Sequence, residues 1–280
     1  FSSKYGQDSV ILTDIKKPDP AVKDVGHFEF ADIMDVDGLR ELVVKHRIDW
    51  LIHFSALLSA VGEQNTPLAM QVNIGGLHNI FNVAREFSLP FGPNSPRNPT
   101  PDDCIQQPNT IYGVSKVHAE LLGMYLNHRY GLDFRSLRLP GVISADVEPG
   151  DYAIHIFKYA MRGEPYPCFL SQNTRLPMIW IDDVIRAMAE VMECPREKLK
   201  RCVYNLAGIS FTPKEINEAM LRGMHRHGLI EQLKTYELKY DVDFQVLDDA
   251  NARRDWGWRH EVDIDGMVDK MFEYLKAHST

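Results

Sequence analysis

No Cys-x-x-Cys pair occurs in the 280 residues, and the four cysteines, Cys104, Cys168, Cys194 and Cys202, have no histidine at a zinc-ligand spacing. That pattern offers no metal site and points to a reducing compartment. His225 and His227 lie two apart in a polar stretch, which reads as a solvated face rather than a metal pair. No apolar run approaches the roughly 18 residues that a membrane span needs. Phe1-Ser2-Ser3 opens no signal peptide, so any targeting segment is expected to have been removed or never to have existed. Basic residues are in deficit. The chain has 31 Lys and Arg against 39 Asp and Glu, a net charge of −8, which disfavours nucleic acid or an anionic membrane as the main partner. A small ligand suits it better. Internal repeats and low-complexity linkers are also missing.

What is present is an ordinary globular composition, 44% hydrophobic and 25% charged, on a chain long enough to bury a large core. Residues 9–14 and 48–54 are short apolar runs that suit buried strands of a parallel sheet. Between them, Leu39, Leu42 and Val43 recur at helical spacing over 36–46, with Asp35 or Asp37 placed to cap the start. Further helical patterns cover 66–88 and 112–130, the latter ending at Gly131 as a C-cap, and residues 134–139 form the next strand. Alternation of this kind predicts an α/β fold, a doubly wound parallel sheet of the Rossmann type. After Gly150 the pattern changes. Helices over 152–162, 183–193, 213–225 and 265–276 and an apolar stretch over 176–181 suit a small C-terminal substrate lobe over residues 151–280, with some elements returning to the sheet of residues 1–150.

The sharpest chemical feature is Tyr112-Gly-Val-Ser-Lys116. Four residues apart on a helix, the two side chains share a face, so the ammonium can stand beside the phenol. An unperturbed phenol, with a pKa near 10, is a poor base at neutral pH, and an adjacent cation favours its phenolate. Tyr-x-x-x-Lys also arises readily by chance, so its context matters. Asp14, followed by Ile15 and Lys16, ends a strand where an acid either accepts both hydroxyls of an adenosine ribose or caps a turn. An acid there would repel a 2′-phosphate, and the adjacent Lys16 and Lys17 blunt that repulsion. Asp32 and Ile33 either hold an adenine with an acid and an apolar face or precede a helix. His53-Phe54-Ser55-Ala56, with Leu57 after it, ends a strand in small residues, as needed where backbone passes close to a cofactor.

Asp14, Asp32-Ile33, Ser55-Ala56, the Asn73-Ile-Gly-Gly-Leu-His-Asn79 segment, Tyr112-x-x-x-Lys116 and Leu139-Pro140-Gly141 fall in the order and spacing of the extended short-chain dehydrogenase/reductase family, which the chain resembles. Residues 55–63, 110–120, 130–135 and 247–257 are similar, more specifically, to its L-threonine 3-dehydrogenase branch. The resemblance implies NAD as cofactor and L-threonine as substrate. Tyr112 would take the proton of the 3-hydroxyl while C3 passes a hydride to NAD⁺, giving 2-amino-3-ketobutyrate. Lys116 would lower the tyrosine pKa and hold the nicotinamide ribose. By the same resemblance, Asp14, Ile15, Lys16, Asp32, Ile33, Ser55, Ala56, Leu57, Asn73, Pro140 and Val142 line the cofactor, with the Val142 backbone at the nicotinamide. Ser59 is similar to a substrate-contacting residue, or is a polar turn residue; Trp180 closes the pocket, or packs in a core strand. Family members pair as homodimers through the helices at 66–88 and 112–130, and are mitochondrial in eukaryotes and cytoplasmic in bacteria.

Several family segments have no counterpart. The first strand with its Gly-x-x-Gly-x-x-Gly turn, which binds the pyrophosphate, is missing, as is a strand bearing the catalytic Ser or Thr hydroxyl near residues 89–92. A substrate loop near 148–151 and a stretch near 240–242 are shortened. A sheet without two central strands would expose apolar faces and unpaired edges, so the sequence is expected to skip parts of a longer polypeptide, with no true peptide joining Pro90 to Phe91. Two other readings remain: a nucleotide-sugar epimerase or dehydratase of the same fold, disfavoured by the compact, acidic C-terminal part, and a non-catalytic dinucleotide-binding scaffold, which would not need the Tyr112–Lys116 pair.

Overall fold

The computed structural model describes residues 1–18, 26–87, 108, 110–145, 152–168, 170, 172–233, 238–239 and 249–277. Pro90, Phe91 and the shortened stretches near 148–151 and 240–242 lie outside them. The chain divides into two compact units, one from residues 1–95, 105–138 and 191–204 and the other from 96–104, 139–190 and 205–280. The expected α/β class is adopted, short parallel strands alternating with helices.

The first unit opens with α1 (Ser2–Tyr5) and a 3₁₀ turn, so that Ser9 lies outside the strand expected over 9–14. β1 (Ile11–Asp14) and β2 (His27–Phe30) run parallel, Ile11 opposite His27 and Asp14 opposite Phe30. In α2 (Val36–His46) the Asp35 carboxylate accepts the Gly38 amide, and Leu39 and Val43 turn inward. The strand expected over 48–54 does not form. A strand exists only through a hydrogen-bonded neighbour, and no described segment pairs with this one. Ile48 and Leu51 still pack on the core, but Trp50 and Phe54 are exposed, together with Leu12 in β1 and Phe30 in β2.

After α3 (Ser59–Gln64), the helix expected over 66–88 is interrupted: α4 (Thr66–Met70) passes through a π-turn, Gln71–Gly76, into α5 (Leu77–Phe87). The turn admits close packing, because a Cβ on Gly76 would stand 2.4 Å from Ile33 Cδ1. α6 (Ile111–Tyr130) ends at Gly131, which takes the left-handed φ of 72° that its C-cap role requires. β3 (Ser136–Arg138) pairs with β7 (Val203–Asn205). Leu77, Ile80, Phe81, Ala84, Leu126 and Phe134 form the core. Arg135 donates to the carbonyls of Val191, Met192 and Cys194, groups that a helix end leaves without intrahelical partners.

In the second unit β4 (Gly141–Ile143) runs parallel to β6 (Leu176–Trp180), which is antiparallel to β8 (Ile209–Phe211). β5 (Tyr166–Pro167) pairs with β9 (Leu238–Lys239). Its helices are α7 (Tyr152–Arg162), α8 (Ile181–Glu193, whose last residues belong to the first unit), α9 (Pro213–Arg226), α10 (Ile230–Leu233), α11 (Ala250–Trp256) and α12 (Ile264–Ala277). The expected ranges hold to within a residue or two. Ile143, Phe157, Trp180, Phe211, Met220 and Phe272 are central to its core. A capping box between Thr212 and Glu215 starts α9.

Gly123 tests how closely α6 is seated. A Cβ there would meet the buried Phe134 ring at 2.4 Å. Gly123→Ala is therefore expected to destabilise the fold by about 1–3 kcal/mol despite its better helix propensity. Urea denaturation reads the change, and an undisturbed midpoint would show that α6 can lift off Phe134.

Candidate active site

The start of α6 is held from several directions. Thr110 accepts the Gly113 amide through its hydroxyl at 3.1 Å, and Glu63 in α3 accepts the Ile111 amide at 2.7 Å. Within the first turn the Ser115 hydroxyl donates to the Tyr112 carbonyl at 2.7 Å. On this fixed turn the Lys116 ammonium lies over the Tyr112 ring, 5.1 Å from its centroid. Both side chains are half-buried. Burial pushes the Tyr112 phenol above its ordinary range and the Lys116 ammonium below its own. The lowering of the phenol anticipated from Lys116 is therefore outweighed here by desolvation, which disfavours the charged form of each group. His53 lies within the field of Lys116. Burial first, then the charge of Lys116, hold its imidazole down at about 4.

Asn73 sits buried in the π-turn and grips the Leu57 backbone reciprocally, accepting the Leu57 amide at 2.7 Å and donating to the Leu57 carbonyl at 2.9 Å. It thus shapes the Ser55-Ala56-Leu57 segment. Asp14 is exposed at the end of β1, where one carboxylate oxygen accepts the Lys16 amide at 2.8 Å. The turn-capping reading is realised, with an exposed carboxylate at the strand end. Ile15 and Lys16 beside it are exposed. Asp32 likewise accepts the Met34 amide at 2.8 Å, while the Ile33 carbonyl accepts from Asn79 at 3.0 Å. Ser59 begins α3.

These contacts bring most of the first-unit candidates into one array. Asp14 accepts the Ala31 amide through its carbonyl, Asn79 and Gly76 reach Ile33, Asn73 holds Leu57, and Gly62 lies against both Leu57 and Ile111. Pro140, Val142 and Trp180 belong to the second unit. There Pro140 is buried, Val142 stands opposite Ile179 in the β4–β6 ladder, and Trp180 is a core residue whose indole N–H donates to Asp182 at 2.8 Å. Of its two readings, the packed one describes this position. His227 contacts Asp269 and Phe272, and Cys168, Cys194 and Cys202 are free thiols.

The donor set of the first unit fits the two ends of a dinucleotide: an exposed acid for a ribose diol, an acid and an apolar side chain for adenine, a clamped loop of small residues, and an ammonium beside a phenol. Such a pair can move a proton to or from a substrate hydroxyl. His53, Glu63 and Asn79 were not singled out as functional from the sequence. Each lay in a segment that the sequence had marked, His53 in 53–56, Glu63 in 55–63 and Asn79 in 73–79, but no side-chain role had been given to any of them.

Residues 3–207 match the NAD dependent epimerase/dehydratase family. The mitochondrial L-threonine 3-dehydrogenase of Sus scrofa is 48% identical over 299 aligned positions, covering 99% of this chain and 78% of the relative. That alignment exceeds the 280 residues of the chain, so the relative carries residues with no counterpart here. Among solved structures, L-threonine 3-dehydrogenase from Trypanosoma brucei superposes with a TM-score of 0.88 at 33% identity, over 99% of this chain and 92% of that one. UDP-glucose 4-epimerase from Thermotoga maritima superposes at 0.80 but is 20% identical over 96% of this chain and 91% of its own, a likeness of fold alone. With the Tyr112–Lys116 turn and the Rossmann-type architecture, the match makes the chain a member of the NAD dependent epimerase/dehydratase family.

Proposed function

We propose that the chain oxidises L-threonine at C3 with NAD⁺, giving 2-amino-3-ketobutyrate. The observation that carries this reading is the half-buried Tyr112–Lys116 contact on the secured first turns of α6. The names of the pig and trypanosome relatives support the choice of substrate. NAD⁺, when bound, supplies the hydride acceptor. Tyr112 takes the hydroxyl proton. Because burial holds its phenol high, the proton-accepting form depends on nearby positive charge, which Lys116 contributes while also holding the nicotinamide ribose. His53, neutral at physiological pH, leaves Lys116 as the cation of this cluster. Asp14, with Ile15 and Lys16, takes the adenosine ribose; Asp32 and Ile33 take the adenine; residues 55–57, held by Asn73, pass along the cofactor; and Pro140 and Val142 meet the nicotinamide. Ser59 contacts the substrate. In this reading residues 1–150 are the NAD-binding part and residues 151–280 mainly the substrate lobe. The compartment is mitochondrial for a eukaryotic source and cytoplasmic for a bacterial one; no described helix is long and apolar enough to cross a membrane.

A homodimer completes the proposal. Val114, Leu121, Met124 and Tyr125 leave an apolar stripe exposed along α6, the kind of surface that marks a protein interface. Leu121→Glu is expected to turn a dimer into a monomer in light-scattering measurements, and a monomeric parent chain would refute the arrangement.

Incubation with NAD⁺ and L-threonine is expected to yield NADH; turnover of UDP-sugars instead would favour an epimerase or dehydratase. Tyr112→Phe keeps size and burial but removes the proton acceptor, so turnover should fall by about 10²–10⁴-fold with NAD⁺ binding retained. Unchanged turnover would reject the assigned role. In the parent enzyme kcat/KM should rise with pH as the phenol loses its proton, and Lys116→Met should move that rise to higher pH.

His53 makes a separate prediction about stability. Its folded pKa of about 4 lies below the ordinary 6.5, so the stability it contributes is full above pH 6.5 and is lost as pH falls toward 4. His53→Gln should flatten this part of the Tm–pH curve, and identical curves for parent and variant would exclude the assignment.

A further inference from the structure

We propose that His27, Glu29 and His46 form a binding site for a first-row divalent metal ion. His27 and Glu29 are two apart in β2, so the strand's alternation turns both side chains to one face. His46, the last residue of α2, reaches the same point from the helix. Each imidazole Nε2 lies 3.0 Å from the same carboxylate oxygen, Glu29 Oε1, and the three donor atoms all fall within 4.8 Å of one another. Bonds of about 2.0–2.2 Å to imidazole and carboxylate place neighbouring ligand atoms roughly 3.0–3.4 Å apart in octahedral or tetrahedral coordination, so both nitrogen–oxygen separations are already near the required edge.

Hydrogen bonding alone describes this cluster poorly. Lys45 also donates to Glu29 Oε1, so three donors converge on one oxygen, whereas a carboxylate oxygen offers about two lone-pair directions. A cation shared by both imidazole lone pairs and the carboxylate resolves the excess. Two imidazoles and one carboxylate, completed by water, suit Zn²⁺, Co²⁺ or Ni²⁺ rather than Ca²⁺ or Mg²⁺. The neighbouring cleft, lined by Asp32, Asp35 and Glu41 as well as Glu29, adds favourable negative charge. Lys45 is the competitor. Its side chain is 58% exposed, so an arriving ion can displace it into solvent at small cost. The bound ion would tie β2 to the end of α2.

The full chain, freed of metal by chelation and desalting, is titrated with Zn²⁺ by calorimetry and with Co²⁺ by visible absorption. One ion per chain is expected, with a rise in Tm. His27→Ala, which alters an exposed side chain, and His46→Ala should each weaken binding about tenfold or more, while Lys45→Met should tighten it. Absence of stoichiometric binding, affinity in either histidine variant unchanged from the parent chain, or a thiolate charge-transfer band placing Co²⁺ on cysteine would overturn the proposal.

Discussion

The candidate chemistry rests on a buried carboxylate–guanidinium pair. Glu120 of α6 meets Arg138 of β3 in two parallel hydrogen bonds, Nε to Oε1 at 2.9 Å and Nη2 to Oε2 at 2.8 Å, with both side chains almost wholly withdrawn from water. Desolvating two charges is expensive, and such a pair is often no more stable than well-packed apolar residues. Its forked geometry instead supplies orientation. Removing one member leaves the other charge buried, a loss of about 3–5 kcal/mol, so the helix cannot rotate cheaply away from this setting. Lys116 and Tyr112 lie one and two turns before Glu120, along the same side of α6. Gly123, pressed against Phe134, sets the helix's distance as Glu120 sets its rotation.

Against that rigid mounting, the electrostatics of the pair look less like a preformed phenolate than like two groups each held in its less polar state. Burial raises the phenol and lowers the ammonium, and the contact between them is with the ring face. Local sequence spacing brings Tyr112 and Lys116 to one face but says nothing of the water they lose on folding. That loss comes from the surrounding elements, and His53 responds to it most strongly. A residue of this kind has no local signature, because its property is created entirely by its neighbours.

The same distinction runs through the fold. α6, its capping glycine, α2 with Asp35, and α7, α8, α9 and α12 were legible because each is written in short-range terms: apolar periodicity, a side-chain cap, a glycine at positive φ. Residues 48–54 have the composition of a buried strand and form none, since strand formation is a property of two segments. The helix over 66–88 was legible as helix but not as broken. Its π-turn is specified by tertiary demands, the Asn73 grip on Leu57 and the close approach of Gly76 to Ile33. Asn73 illustrates the limit at the site. The resemblance marks the residue for the cofactor, while its side chain is spent on the loop that would line the cofactor.

The His27–Glu29–His46 cluster shows why reading metals from cysteine spacing alone is too narrow. Two of its members are a strand pair at i and i+2, a spacing that also describes countless solvated faces, and the third arrives 17 residues later from a helix. Only the packing of α2 over β2 makes the three converge, so the site is a consequence of the fold rather than of a motif. The order of causes is then the same at both places. At the candidate active site and at the histidine cluster, secondary structure supplies two neighbours on one face, and tertiary packing brings a third group to them: His53 within the field of Lys116, His46 against Glu29.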